Sequence, residues 1–401
     1  MKKLYCTAVM MIAVMTVLAT CASAQQTDSG TRAGTVDGVV QATPATTAAD
    51  LVRALDGRVT VNGNTVTLTG NIGVQKDLVV PEGITLDLAE GSGLWLHDGV
   101  TLTVNGTVNA PSNRIGWDTS AGARWITING NGTINLKSKG QLLIISEGRK
   151  LTLDGVTLVG LADNNESLVG VYEGGEFILK SGAITGNTRV TNGGGGGVNV
   201  WQATFIMEGG EISGNTAISS TRVEGGGVGV WNATFIMIGG AISGNTAISS
   251  TEDSMGGGVC VNESVFIMEG GTISGNTATG SNRGNGGGIR VTNGSTFTMK
   301  GGTISGNTVT RGTGWCIGGG VHVKGDSVFI MEGGTIYGNA NSLPTGTDAS
   351  LANSAPEGSS LFVEGTAKWG TGGAYTKGGV PQTAGSGITS TDDTLIAIPA
   401  R

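Results

Sequence analysis

An internal repeat of about 30 residues is the feature that most constrains the fold of this chain. The dipeptide Gly-Asn recurs at intervals of 28, 30, 31, 31 and 32 residues. Each unit also carries Gly-Gly-Gly-Val-x-Val, as at Gly225–Val230, and Phe-x-Met, as at Phe235–Met237. The length of the unit varies between Gly-Asn and the next glycine triplet, so a variable loop is predicted there. The repeated asparagines are Asn187, Asn215, Asn245, Asn276, Asn307 and Asn339.

Each repeat holds three short apolar segments and no helical pattern. Such a chain can close only as a coil, and stacked coils pair each strand in parallel with its equivalent one repeat away. The sequence therefore predicts an all-β fold, a right-handed parallel β-helix with three short strands per coil. At the usual strand spacing, six repeats extend about 29 Å along the axis.

Composition excludes the competing fold classes. Glycine supplies 74 of 401 residues, and 38% of residues are apolar. Collagen is excluded because its glycines fall at every third residue. A helical bundle is disfavoured because each helical glycine costs about 1 kcal/mol. Disorder is disfavoured because only 13% of residues are charged.

Stacking turns repeated residues into columns. The phenylalanines from Phe205 to Phe329 and the methionines two residues later are predicted to fill the interior, with Ile212 and its equivalents on the third wall. The repeated asparagines are predicted to form a ladder at a turn, each amide bonding to the next coil. Asn339 is included in this ladder.

The chain divides into six predicted segments. A helix is expected after the tether because Thr46 to Leu55 has a threonine cap, an early Asp50 and a terminal Gly57. The segments are a signal peptide (1–24), a flexible tether (25–43), a capping helix (44–57), irregular coils (58–160), regular coils (161–340) and C-terminal coils or a cap (341–401).

The first segment predicts export. Lys2 and Lys3 precede an apolar run, and Ala22-Ser23-Ala24 is typical of a cleavage site that leaves Gln25 first. The alternative is a lipoprotein signal with a lipid anchor at Cys21. Either way we expect a protein that is surface-held, associated with the outer membrane or extracellular, with the periplasm as a further location. No later apolar run approaches the length of a transmembrane helix.

The repeat resembles the passenger regions of polymorphic outer-membrane proteins, a family of bacterial adhesin-like β-helix proteins. Gly239–Ile242 carries the family's Gly-Gly-Ala-Ile motif, and Gly-Gly-Thr-Ile recurs at Gly270–Ile273, Gly301–Ile304 and Gly333–Ile336. The resemblance covers residues 170 to 340. It implies a secreted or surface-held protein, and it carries over no catalytic residue.

No catalytic, cofactor or metal site is predicted. Glu208 and Glu269 lie two coils apart, about 10 Å by strand spacing, and Ile238 separates them. The column Asn199, Gly229, Cys260, Arg290 and His322 is predicted to face solvent. The irregular coils hold more charge, at Asp87, His97, Asp98, Arg114, Asp118 and Arg124, and would be the place for a site if one exists.

Two surfaces are candidates for binding. Trp201 and Trp231 end equivalent strands on adjacent coils and could hold a sugar ring or a partner, or simply pack. Four isoleucines face away from the Phe and Met columns and form either an exposed apolar stripe or a surface covered by a loop. These are Ile206, Ile236, Ile267 and Ile330.

The predicted function is interaction or adhesion at the cell surface, without catalysis. The alternative is a β-helix protein that binds or degrades polysaccharides. The expected partner is a host or cell-surface protein or a glycan. Nucleic acid is not expected, because the net charge is −7 and no basic patch is evident.

Overall fold

The structure is a computed structural model that describes residues 47–311, 316–343, 345–356, 358–364, 368–371, 375–377, 380–382, 391–392 and 396–398. The predicted signal peptide, the tether and Cys21 lie outside these residues. The described chain is an all-β parallel β-helix of about 8 turns, which confirms the predicted fold class.

One short α-helix, α1 (Ala48–Ala54), precedes the coils. Thr47 caps it through a reciprocal pair of contacts: its hydroxyl accepts from the Asp50 amide, and the Asp50 carboxylate accepts from the Thr47 amide. Leu51 and Leu55 are fully buried in the main core. The helix therefore covers the apolar end of the first coils, as a cap should.

Three sheets form the walls of the helix. Sheet 1 contains Leu143–Ile145, Val169–Tyr172, Val198–Trp201, Val228–Trp231, Val259–Asn262, Ile289–Thr292, Val321–Lys324, Leu361–Glu364 and Thr391–Asp392. Sheet 2 contains Leu78–Val80, Thr101–Val104, Trp125–Asn129, Lys150–Asp154, Glu176–Leu179, Thr204–Met207, Thr234–Met237, Val265–Met268, Thr296–Met299, Val328–Met331 and Lys368–Thr371. Sheet 3 contains Val59–Asn62, Thr65–Leu68, Thr85–Leu88, Thr107–Ala110, Thr133–Leu136, Thr157–Val159, Ala183–Thr185, Glu211–Ser213, Ala241–Ser243, Thr272–Ser274, Thr303–Ser305, Gly334–Ile336, Ile396–Ile398, Tyr375–Lys377 and Val380–Gln382.

Three smaller sheets complete the described strands. Sheet 4 contains Thr188–Arg189, Thr216–Ser219, Thr246–Ser249, Thr277–Gly280 and Thr308–Arg311. Sheet 5 contains Val223–Glu224, Asp253–Met255, Arg283–Asn285 and Cys316–Ile317. Sheet 6, in the first coils, contains Asn71–Val74, Gly93–Leu96 and Ile115–Trp117. Short 3₁₀ turns lie at Thr119–Ala121, Ala340–Ser342 and Ala349–Leu351.

The segment between Gly-Asn and the glycine triplet differs from the prediction. The sequence predicts a variable loop there, but the structure forms the strands of sheets 4 and 5 in it. Thr216–Ser219 and Thr246–Ser249 pair residue by residue, and in both the second and fourth residues are buried. The regular coils thus carry five short strands rather than three.

The ends of the β-helix close with antiparallel strands. Val59–Asn62 pairs antiparallel with Thr65–Leu68 at the first coil. At the other end, Ile396–Ile398 lies antiparallel to Gly334–Ile336. These strands change the direction of pairing, so the parallel stack ends there instead of presenting a strand edge that continues it.

The interior is organised in columns, as the repeat predicts. Phenylalanines stack with ring centroids 4.6 to 5.2 Å apart and nearly parallel planes. The methionines two residues later and the isoleucines of sheet 3 are also fully buried. Phe177, one coil before the predicted column, joins it. The column is Phe177, Phe205, Phe235, Phe266, Phe297 and Phe329.

A ladder of buried asparagines follows the strands of sheet 3. The Asn276 side-chain amide donates to the Ile242 carbonyl at 2.9 Å and to Asn307 Oδ1 at 3.0 Å, and Asn276 Oδ1 accepts from the Asn245 amide at 3.0 Å. Each member therefore satisfies backbone groups of its neighbours inside the protein. The same pattern links Asn187 to Asn215 and Asn215 to Asn245.

The last predicted member of the ladder is displaced. The position after Asn307 is taken by Asn353, whose Oδ1 accepts from the Asn307 amide at 2.9 Å. Asn339 is half-buried and lies before two 3₁₀ turns. These turns lengthen the coil after Ile336, so the chain reaches the ladder position fourteen residues later than the repeat spacing implies (353 − 339 = 14).

The glycine triplet is required by the close approach of coils. A Cβ atom on Gly226 would lie 2.2 Å from the Gly257 carbonyl oxygen and 2.5 Å from the Thr246 carbonyl carbon. Any side chain at this position would force neighbouring backbones apart.

Phe266→Ala tests the interior column. We expect a loss of about 3–5 kcal/mol in the free energy of unfolding, because the truncation leaves a cavity between two stacked rings. The control is Glu269→Ala, which removes only an exposed ion pair with Lys300 at 3.1 Å and should cost less than about 1 kcal/mol. Denaturant melts that give equal losses would contradict the assignment of the inner and outer faces.

Asn353→Ala tests the displaced ladder position. Removing its amide leaves the buried Asn307 amide and the Ile304 carbonyl without these hydrogen bonds, so we expect a loss of at least about 2 kcal/mol. Asn339→Ala should cost about half as much or less, because Asn339 lies outside the ladder. A larger loss for Asn339→Ala in urea melts would show that the ladder follows the repeat spacing instead.

Candidate functional site

Alternation along sheet 1 sends two columns of side chains to its outer face. The register aligns each strand with the next. The column in mid-strand, here called the covered column, is Gly170, Asn199, Gly229, Cys260, Arg290, His322 and Phe362. The column at the strand ends, here called the rim column, is Tyr172, Trp201, Trp231, Asn262, Thr292 and Lys324.

From Gly229 to His322 the covered column is buried, contrary to the prediction that it faces solvent, and Asn199 is half-buried. Cys260 and His322 are 0% exposed, and Arg290 is 5% exposed. Segments that were predicted as loop lie over this face: a Cβ atom on Gly229 would lie 3.1 Å from the Glu224 carbonyl oxygen of sheet 5. The outer face of sheet 1 is therefore the floor of a second packed layer.

Glu224 is the central charge of this layer. It is 1% exposed, and its Oε1 lies 2.6 Å from Arg222 Nε. Burial raises the pKa of Glu224 to about 7, and the charges of Arg222, Arg290 and Arg189 oppose that rise. The desolvation of the carboxylate thus outweighs three nearby cations.

Cys260 lies beside this cluster and is chemically quiet. Burial raises the pKa of its thiol, with Glu224 adding to the effect. The thiolate, which is the nucleophilic form, is therefore disfavoured. Cys316 is also a free, buried thiol. The Cys–Arg–His column is thus part of the packed layer and not a reactive site.

An aromatic pocket opens where the rim column begins. Trp201 is exposed and pairs in register with Tyr172 on one side and Trp231 on the other. The pocket has a volume of about 260 Å³. It is lined by Tyr172, Arg189, Asn192, Gly193, Gly194, Asn199, Trp201 and Trp231.

Two polar groups lie in this pocket, and hydrogen bonds hold one of them in place. Arg189 donates to Thr191 Oγ1 at 2.8 Å, to Ser167 Oγ at 3.3 Å and to the Asn192 carbonyl at 3.0 Å. Asn199 Oδ1 is buried and accepts no hydrogen bond from the described residues. The pocket therefore combines aromatic planes with a rigid donor and an unused acceptor.

A charged pocket lies further along the same face. Its volume is about 380 Å³. Asn293, in its lining, donates a hydrogen bond of 2.9 Å to Oδ1 of the buried Asn262. Arg222 and Arg290, which surround Glu224, also line this pocket. The lining is Arg222, Glu252, Asp253, Met255, Asn282, Arg290, Thr292, Asn293 and Lys324.

The isoleucines predicted as a candidate stripe are not an exposed surface. Ile206 and Ile236 are each 2% exposed and Ile267 is 7% exposed, while Ile330 is half-buried. They lie on sheet 2 and line neither pocket. Of the two surfaces predicted from sequence, the tryptophan pair is therefore the one that the structure places at a pocket.

The charges of the first coils serve local structure. Asp87 forms an ion pair with Lys137 at 2.9 Å. Asp98 accepts hydrogen bonds from the backbone amides of Arg124 and Trp125, and these bonds lower the pKa of Asp98. Such contacts tie one coil to the next.

One cluster in the first coils has the parts of a catalytic triad in the wrong order. His97 Nε2 lies 3.1 Å from Asp118 Oδ2, and the Ser120 hydroxyl donates to Asp118 Oδ1 at 2.5 Å. Activation of a serine requires the histidine between serine and aspartate. Here the aspartate is in the middle, so Ser120 is not activated.

The residues that sequence reasoning missed are Arg189 and Glu224, which belong to sheets 4 and 5. A signal for these sheets was present, because Thr-Ala-Ile-Ser at Thr216–Ser219 and Thr246–Ser249 alternates with the period of a strand. The variation in length nearby concealed it.

Comparison with known proteins adds no relative: no family model, curated protein or solved structure matches the chain. Among the described residues, no three side chains of His, Cys, Asp or Glu come together to hold a metal ion. Across the same residues, no helix is both long and apolar enough to cross a membrane.

Glu224→Gln tests the buried carboxyl. Between pH 4.5 and about 7 the folded protein holds a proton that the unfolded chain has released, so the free energy of unfolding falls as the pH rises through this window. The expected fall is on the order of 3 kcal/mol. It should be absent in Glu224→Gln, since glutamine mimics the protonated form.

The measurement is a series of urea melts from pH 4.5 to 8, and Glu252→Gln, at an exposed position, is the control that should keep the wild-type fall. Parallel pH profiles for wild type and Glu224→Gln would contradict the assignment.

Proposed function

We propose that this is an exported surface protein that acts in adhesion by binding glycan chains, without catalysing a reaction on them. The aromatic pocket is the binding site in this proposal. The export signal in residues 1–24 and the resemblance to polymorphic outer-membrane proteins support the surface location. The protein is either released after cleavage behind Ala24 or held by a lipid at Cys21.

The observation that carries the proposal is the composition of the aromatic pocket. The apolar face of a sugar ring packs well on an aromatic plane, and its hydroxyls need polar groups at fixed positions. Trp201 and Trp231 supply planes on adjacent strands. Arg189 supplies donors, and Asn199, in the same lining, carries a buried acceptor, Oδ1, that no described residue uses. This combination suits a sugar better than a purely apolar partner.

The alternative is a polysaccharide-degrading protein, and the charged pocket is the observation that favours it. Glu252 and Asp253 line that pocket together with Arg222 and Arg290. Acid–base catalysis requires such groups to converge on one substrate. Glu224 lines neither pocket and is buried, so it is not available to a substrate. We favour binding, because the aromatic pocket has the features of a sugar site without acidic residues in its lining.

Trp201→Ala and Trp231→Ala test the proposal on a glycan array. We expect each substitution to weaken binding roughly 2- to 10-fold, the range for one lost aromatic contact. The matched control is Trp125→Ala, because Trp125 is also exposed but lies on sheet 2. Trp125→Ala should bind as the wild type does.

The same samples are assayed for shortened or unsaturated sugar products. Glycan binding that is equally reduced by all three substitutions, or is unaffected by Trp201→Ala and Trp231→Ala, would contradict the site. Product formation that is lost in Glu252→Gln or Asp253→Asn would favour the degrading alternative.

A further inference from the structure

We infer that the glycan is an acidic one, and that Arg189 pairs with the carboxylate of a uronic acid whose ring lies on Trp201 or Trp231. This inference rests on the proposed function and adds the class of sugar. Three observations support it: the placement of Arg189, the charge of the two pockets and their alignment on one face.

Arg189 is a cation that is held in place beside the aromatic side chains of the pocket. It is 9% exposed, and three hydrogen bonds hold its guanidinium. The guanidinium lies against Gly194, where a Cβ atom would come within 2.0 Å of Nη1. Arg189 is the single charged residue among the described residues that line the aromatic pocket. A planar guanidinium fits a carboxylate with two parallel hydrogen bonds, and partial burial strengthens the pairing.

The charge of the two pockets differs in sign from that of the chain. The chain has a net charge of −7, yet the linings of the pockets carry four cations (Arg189, Arg222, Arg290 and Lys324) against two acids (Glu252 and Asp253). A local excess of cations on an acidic protein favours an anionic ligand over a neutral one.

Glu224, beneath the pockets, does not cancel this excess. Burial raises the pKa of Glu224 to about 7, so near neutral pH its carboxyl is protonated in much of the population. Protonation of Glu224 thus removes one of the two carboxylates that act on Arg189, and Glu166 is the other.

The two pockets lie along one direction, as a polymer requires. Trp231 and Thr292 belong to the rim column and are separated by one intervening strand, which places them about 10 Å apart. Asn262 and Thr292 are buried, so a chain whose first acidic sugar meets Arg189 passes over these strand ends without contacting them before it reaches Lys324.

The experiment compares acidic polymers with their uncharged, esterified forms. Polygalacturonate, alginate and hyaluronan are each presented to the purified full-length protein beside their carboxyl-esterified forms. We expect at least one acid form to bind about tenfold or more tightly than its ester. Raising sodium chloride from about 0.05 M to about 0.5 M should weaken binding of the acid form and leave the ester unchanged.

Variants of Arg189 test whether this residue causes the preference for the acid form. Arg189→Gln should lower binding of the acid form to that of the ester, and Arg189→Lys should restore part of the difference, because lysine keeps the charge without the planar fork. Trp125→Ala is the control that should preserve the preference. Comparison of esters and salt in the wild type needs no variant, so the test holds even if Arg189→Gln does not fold.

The outcomes separate the two proposals. One outcome is that neutral glycans or esters bind as tightly as the acids and that Trp201→Ala loses this binding. This outcome would overturn the inference of an acidic ligand and leave the proposal of glycan binding intact. Failure of every acidic, esterified and neutral polymer to bind would overturn the proposed function as well. A preference for acids that persists in a folded Arg189→Gln variant would overturn the role of Arg189.

Discussion

Parallel pairing of each coil with the next is the constraint on which the rest of this structure depends. Because equivalent residues lie side by side, any residue that repeats becomes a column along the axis. A phenylalanine that repeats becomes a stack of rings. A buried amide that repeats finds its hydrogen-bond partners along the axis. In the asparagine ladder, each side chain forms hydrogen bonds with the backbone and the side chain of an adjacent coil.

Sequence predicts the columns because they repeat, and it fails where the repeat changes in length. The Phe and Ile columns and the ladder from Asn187 to Asn307 follow directly from fixed spacing. Asn353 could not be found in this way, since two 3₁₀ turns extend its coil. Sheets 4 and 5 were concealed for the same reason, and with them the cover that buries Cys260, Arg290 and His322. Orientation along sheet 1 was predictable; solvent access was not, because it depends on a second layer.

That second layer changes what the outer face of sheet 1 can do. If this strand face were uncovered, Arg290 and His322 would lie in water, which screens their charges and weakens their interactions with neighbouring groups. Under the cover, desolvation dominates, and the raised pKa of Glu224 is its clearest consequence. Burying a carboxyl among arginines is costly to stability. The layer is thus a poor choice for stability alone, and the arginines around Glu224 also line the two pockets.

The interior column and the rim column differ in how strictly their residues repeat. The interior column keeps phenylalanine through six coils, because each ring must fit between its neighbours. The rim column changes at almost every coil, from Tyr172 and Trp201 to Asn262, Thr292 and Lys324, although all of these residues occupy the same position on their strands. Backbone pairing imposes no side chain at this position, so each coil can present a different group. Trp201 is exposed in this column, whereas Asn262 and Thr292 are buried. The aromatic pocket and the charged pocket therefore follow each other along the axis, and this order suits the proposed polymer of acidic sugars.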